Sequence, residues 1–129
     1  MSKSILIADD SATIRTLIRA FIENRAGFEV CGEAVDGVDA IEKAKELKPD
    51  LIILDLAMPR MNGAAAASVL KRMMPDVPLI LFTMYDEVMS QALSSAVQVD
   101  LVLSKPDGLH QMVTHAQGLL GSEQRPSLR

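Results

Sequence analysis

Asp9 and Asp10 follow the apolar run Ile5-Leu6-Ile7-Ala8, and Asp55 follows Leu51-Ile52-Ile53-Leu54. Carboxylates rarely close buried apolar runs unless something compensates their charge. If the two runs are neighbouring parallel strands, the three acids meet at one edge of a sheet and repel one another. Such a cluster needs a cation or a shared proton. Thr83 closes a further apolar run, Leu79 to Phe82, and Lys105 follows Leu101-Val102-Leu103 with Ser104 between. An acid pair, an acid, a hydroxyl and an ammonium side by side suit phosphoryl transfer to a carboxylate. A hard divalent cation such as Mg²⁺ takes oxygen ligands and needs only one or two carboxylates beside substrate oxygens and water. Asp9 and Asp10 can hold that cation, while Asp55 can share it and present one oxygen as nucleophile. Thr83 and Lys105 can donate to phosphoryl oxygens, where negative charge accumulates.

Positioning these groups requires strands and helices in alternation. Ile14, Leu17, Ile18, Phe21 and Ile22 recur at helical spacing after the first run, with Ser11 or Asp10 placed to cap that helix. Phe28 to Glu33 roughly alternates and reads as a half-exposed strand. Asp36-Gly37 marks a turn, and Val38, Ile41, Ala44 and Leu47 form a second helical stripe that Lys48-Pro49 ends. Leu51 to Leu54 reads as the central strand. Met58 to Gly63 is a loop, and an alanine-rich helix runs from about Ala64 to Met73. Leu79 to Phe82 is a fourth strand. Val88, Met89, Ala92, Leu93 and Ala96 make a further helical face, Leu101 to Leu103 a fifth strand, and Leu109 to Leu120 a closing amphipathic helix. Five βα units imply an α/β fold, a doubly wound parallel sheet of flavodoxin-like order 2-1-3-4-5. In such sheets the site lies at the carboxyl ends of the strands where the winding reverses, here between the first and third strands. Residues 1–121 then form one domain, and 122–129 a polar tail or linker stub.

Composition agrees with one aliphatic core: 49% of the 129 residues are hydrophobic, with no Trp and a single Tyr. A net charge of −4 gives no sequence-independent grip on nucleic acid. No apolar stretch approaches membrane-spanning length, and the N-terminal apolar run is too short for a signal peptide. The lone Cys31 cannot form an internal disulfide and reads as a buried small hydrophobe, so a reducing, cytoplasmic setting is expected. His110 and His115 are five residues apart, not the four of a paired metal site, and read as solvated.

The acid pair Asp9-Asp10, the segment from Asp55 through Met58-Pro59-Arg60-Met61-Asn62-Gly63, Thr83, and Lys105-Pro106 together resemble the receiver domain of two-component response regulators. The resemblance spans about Ser4 to Leu120 in the family's order and spacing. It implies that Asp55 is phosphorylated by a sensor histidine kinase or phosphotransfer protein in the presence of Mg²⁺. It implies that Asp10, Asp55 and the main-chain oxygen of Ala57 ligate the metal with Asp9 assisting, and that Thr83 and Lys105 contact the phosphoryl group. The chain would then serve a downstream effector or a covalently linked output domain. Dimerisation would use the face of the fourth helix, fifth strand and fifth helix. It would not be an enzyme beyond its own phosphorylation and dephosphorylation. Where the family usually carries an aromatic on the fifth strand, this chain has Val102. Met84, Asp107 and the segment Ala96 to Val99 also depart from the pattern, and Tyr85 or Met84 is the expected substitute for the aromatic relay.

Three other readings are weaker. A phosphohydrolase using Asp55 would need a separate general acid–base residue or a substrate cap, and neither is evident. A flavin carrier on this fold would need a glycine-rich phosphate loop, whereas the loop after the first strand is Asp9-Asp10-Ser11-Ala12-Thr13. A phosphorylation-independent interaction scaffold is the alternative that Val102 keeps open.

Overall fold

In a computed structural model of the chain, residues 3–24, 27–83, 101–104 and 118–119 are described, with the backbone alone at 83 and 101–104. The elements are β1 (Lys3–Ala8), α1 (Ala12–Glu23), β2 (Phe28–Ala34), α2 (Gly37–Leu47), β3 (Leu51–Asp55), α3 (Gly63–Met73), β4 (Leu79–Thr83) and β5 (Leu101–Ser104). The strands form one sheet in the order β2-β1-β3-β4-β5, with every neighbouring pair parallel. The expected topology and the central place of β3 are thus observed. The helices expected at Val88–Ala96 and over most of Leu109–Leu120 lie outside the described residues, as do Met84, Tyr85, Lys105, Asp107, His110 and His115.

Strand alternation divides the core into two layers. Leu6, Ala8, Ile52, Leu54, Leu79 and Leu81 face one side and pack with Ala40, Ala44, Ala66, Ala67 and Leu70 of α2 and α3. Ile5, Ile7, Leu51, Ile53, Ile80 and Phe82 face the other side and pack with Ile18 and Ile22 of α1, with Leu119 against them. Runs that are apolar at every position are what a sheet covered on both faces demands.

Two stripes differ from the sequence expectation. Along α1 the buried line is Ile18 and Ile22, and Leu17 is 42% exposed. Along α2 it is Gly37, Ala40 and Ala44, and Leu47 is 37% exposed. Both helices cover the outer part of the sheet, so the flank of each apolar stripe overhangs the edge. Small residues let α2 lie close to its neighbours, and the larger Ile41 fills the margin of that layer. The half-exposed character of β2 follows from its edge position. A register shift between Ile5 and Leu6 takes the pairing from Val30 to Gly32 and leaves Cys31 as the extra residue. Cys31 is therefore half-buried rather than buried, and desolvation raises its thiol pKa, which disfavours the reactive thiolate.

Caps fix where the helices begin. Ser11 Oγ accepts from the Ile14 N–H at 3.3 Å, Asp36 Oδ1 from Asp39 N–H at 2.8 Å, and Asn62 Oδ1 from Ala65 N–H at 2.8 Å. Asp36, expected in a turn, is thus the N-cap of α2. Lys48 ends that helix in the left-handed conformation at φ 51°, just before Pro49.

Candidate functional site

The register carries the site. Ala8 of β1 lies opposite Leu54 of β3, so Asp9 and Asp55 leave the sheet at the same level. Asp55 lies opposite Phe82, and Thr83 opposite Ser104. The carboxyl ends of four strands therefore coincide to within about one residue, and Lys105 follows directly on Ser104 in the chain. The Thr83 backbone ends β4 as expected, and Val102 takes its place in β5 opposite Leu81.

Asp9, Asp10 and Asp55 each present a carboxylate oxygen, and these atoms all lie within 4.8 Å of one another. Asp9 is 2% exposed and Asp55 5%, while Asp10 is exposed. Asp9 is thus the buried wall of the cluster and Asp10 its solvent side. Two charges about 5 Å apart repel by about 3 kcal/mol at an effective dielectric near 20. A hard cation turns this repulsion into attraction, and carboxylate oxygens are the hard donors that Mg²⁺ takes, one or two of them sufficing beside water and substrate oxygens. The residues present therefore fit a divalent cation.

Local hydrogen bonds set each acid. The Asp9 N–H donates to Ala34 O at 3.0 Å, and Asp9 Oδ1 accepts from the Ser11 N–H at 2.9 Å. Arg15 Nη1 donates to Asp9 O at 2.6 Å. Asp55 ends β3, and the loop after it is pinned at several points. Leu56 and Met58 are buried in the core on either side of the exposed Ala57. The Gly63 N–H donates to Leu56 O at 2.8 Å, and the Gly37 N–H to Met61 O at 2.9 Å. Arg60 adopts φ 64°, a left-handed conformation uncommon for a residue with a side chain, and its Nε lies 2.7 Å from Asp36 Oδ2. That pair ties the loop to the start of α2. The Arg60 guanidinium, helped by the Asp39 N–H, holds the Asp36 carboxyl below the usual carboxylate range.

Sequence reasoning named the three acids but not their supports. Arg60 lies in the segment that carried the family resemblance, yet its partner is 24 residues away, and only the fold joins them. The same holds for Arg15 and Glu33, 18 residues apart. The sequence pattern places Gly63 in the loop, whereas it opens α3. A Cβ there would stand 2.2 Å from the Asp55 carbonyl oxygen, so the first turn of α3 rests directly on the end of β3.

Comparison with other proteins agrees with this geometry. Residues 5–117 match the family model described as "Response regulator receiver domain". The chain is similar to the chemotaxis protein CheY of Thermotoga maritima, 43% identical over 81 residues that cover 63% of this chain and 67% of that protein. It is also similar to the response regulator protein VraR of Staphylococcus saprophyticus, 38% identical over 99 residues, 75% of this chain but 47% of that longer protein. Among solved structures, the REC domain of AraT, a response regulator from Geobacillus stearothermophilus, superposes with a TM-score of 0.83 at 36% identity, over 97% of this chain and all of the other. Among the described residues, no helix is long and apolar enough to cross a membrane.

Proposed function

Because the chain belongs to the response regulator receiver domains, the phosphorylation-dependent switches of two-component signalling, we propose that Asp55 is its phosphoryl acceptor and that Asp9, Asp10, Asp55 and the Ala57 carbonyl hold Mg²⁺. The observation that carries this reading is the convergence of the three carboxylates at the end of β1 and β3, with the ends of β4 and β5 at the same level. When bound, Mg²⁺ would supply positive charge that offsets the repulsion between Asp55 and an anionic phosphoryl group.

The protein's own groups do the rest. An Asp55 carboxylate oxygen attacks phosphorus in line with the donor. The new O–P bond forms as the P–N bond of a phosphohistidine, or the bond of a small acyl phosphate, breaks with its electron pair leaving on the donor. Thr83 and Lys105 donate to the phosphoryl oxygens where charge is greatest. Asp9 and Asp10 remain carboxylate oxygen donors that would hold the cation. Burial of Asp55 and the anchoring of Leu56 and Met58 keep the acceptor oxygen in one orientation, which favours transfer by positioning alone. The phosphoryl donor is a histidine kinase or phosphotransfer protein, and the output is a separate effector or a domain joined to residues 1–121 in a longer protein. The reaction consumes the chain's own carboxylate and turns over no separate substrate.

Intact-mass measurement after incubation with a small acyl phosphate, with and without Mg²⁺, tests the reading. Wild type gains one phosphoryl group only when Mg²⁺ is present, and Asp55→Asn gains none. An unmodified wild type would instead favour a phosphorylation-independent scaffold.

A further inference from the structure

Arg15 and Arg19 lie one helical turn apart on α1, and both reach the same carboxylate on the edge strand. Arg15 Nε lies 2.7 Å from Glu33 Oε1, and Arg19 Nε 2.8 Å from Glu33 Oε2. Their second donors diverge: Arg15 Nη1 donates to the main-chain oxygen of Asp9 at 2.6 Å, whereas Arg19 Nη1 donates to Glu23 Oε2 at 2.9 Å. The Asp9 N–H is already held by Ala34 O, the residue after Glu33. Asp9 is thus gripped at both of its peptide groups, once by the edge strand and once by a guanidinium that the edge strand orients. The Arg15 side chain is 15% exposed, so this contact is largely sheltered from water.

A cation beside three carboxylates has two opposed effects. Fixing the Asp9 main chain favours metal binding, because the carboxylate is presented without an ordering cost. The charge itself disfavours binding, because it competes with the metal for the same field. Glu33 reduces the second effect by pairing with the guanidinium while leaving its geometry intact.

We propose that Arg15, held and charge-balanced by Glu33, is a positioning residue for the cation-binding loop. The proposal rests on the reading of Asp9, Asp10 and Asp55 as a Mg²⁺ site.

The test is an amide-resolved NMR titration of the full chain with MgCl₂, for wild type, Arg15→Ala, Arg15→Lys, Glu33→Gln and Arg19→Ala, with amide exchange of Ser11 measured before metal is added. Arg15→Ala weakens Mg²⁺ binding by roughly tenfold, the lower end of the effect of losing an outer partner. Glu33→Gln weakens it severalfold, through a looser and unbalanced Arg15. Arg15→Lys does not restore it, because an ammonium cannot serve Glu33 and Asp9 with one rigid fork. Arg19→Ala, which loses a bond to the same Glu33 but makes none to Asp9, leaves the affinity within about twofold, so loss of helix packing alone is separated from loss of positioning. The Ser11 N–H, bonded to Asp9 Oδ1, exchanges faster in Arg15→Ala even without metal. Equal or tighter Mg²⁺ binding in Arg15→Ala, or an equal loss in Arg19→Ala, would overturn the proposal. Should Arg15→Ala not fold, Arg15→Lys and Glu33→Gln decide it by the same criterion. A wild type that does not respond to Mg²⁺ overturns the metal reading instead, and Ser11 exchange then decides whether Arg15 still positions Asp9.

Discussion

Replacing Gly63 by Ala sets two effects of opposite sign against each other. In a helix, Gly→Ala ordinarily stabilises by about 0.5–1 kcal/mol, because the unfolded chain loses freedom. Here the added Cβ would stand 2.2 Å from the Asp55 carbonyl oxygen and 2.9 Å from both the Asp55 carbonyl carbon and the Leu56 Cα. Favourable heavy-atom contact begins near 3.5 Å, so the two segments must separate by about 1 Å. Neither yields easily. Asp55 sits in a strand paired on both sides, and the Gly63 N–H is bonded to Leu56 O at 2.8 Å. Overpacking of this kind costs about 1–3 kcal/mol, and contact between two stretches of main chain belongs at the upper end. The net effect is a loss of about 1–2 kcal/mol, read in urea unfolding as a lower midpoint with an unchanged slope. The displacement falls on Asp55 itself, so phosphorylation by a small acyl phosphate slows by roughly tenfold or more. Gly32→Ala is the matched comparison. Its Cβ would crowd the tip of the half-exposed Leu47 side chain, at 2.7 Å, which can turn away, and would touch Leu6 Cδ1 at an ordinary 3.7 Å. A Gly63→Ala midpoint equal to or above wild type would refute the close-approach argument.

Acid stability tests the Asp36–Arg60 tie. A carboxyl whose pKa is depressed on folding stabilises the native state above its unfolded value and loses that contribution as pH falls through the folded one. Wild type therefore loses stability more steeply than Asp36→Asn below about pH 4, and parallel curves would sink the assignment. Glu33 acts in the same window and direction, because its bonds to Arg15 and Arg19 outweigh the effect of its burial, so the comparison must be made between variants rather than against a flat baseline. Asn62→Ala removes the cap of α3 and costs about 1 kcal/mol in thermal or urea unfolding. Leu70→Ala opens a cavity between α3 and the sheet and costs about 2–5 kcal/mol by the same measurement, with no direct effect on the acids.

The sheet was legible because its central strands are apolar at every position and end in acids. Leu51 to Leu54 could be nothing but a strand buried on both faces, and once β1 lay beside it the convergence of Asp9 and Asp55 followed from register. Periodicity was less informative about helix burial. Leu17 and Leu47 belong to apolar stripes yet face outward, because the stripe does not reveal how far a helix overhangs a sheet edge. Small residues such as Ala40 and Ala44 carry the actual contact. The supports of the site were hidden for a different reason. Asp36 with Arg60, and Arg15 with Glu33, are pairs of ordinary surface residue types separated along the chain, and nothing in their local sequence announces the partner. Which of the adjacent Asp9 and Asp10 turns inward was hidden for a similar reason, because it depends on the Ser11 N–H and Arg15 that hold the loop.

The central claim is that one carboxylate of the three is the acceptor. Phosphorylated wild-type protein, reduced with borohydride to convert an acyl phosphate into homoserine and then mapped by peptide mass spectrometry, identifies that residue directly. The account predicts homoserine at position 55 alone, with Asp9 and Asp10 unchanged and the signal lost when Mg²⁺ is withheld. Homoserine at position 9 or 10, or an adduct stable to borohydride, would contradict it.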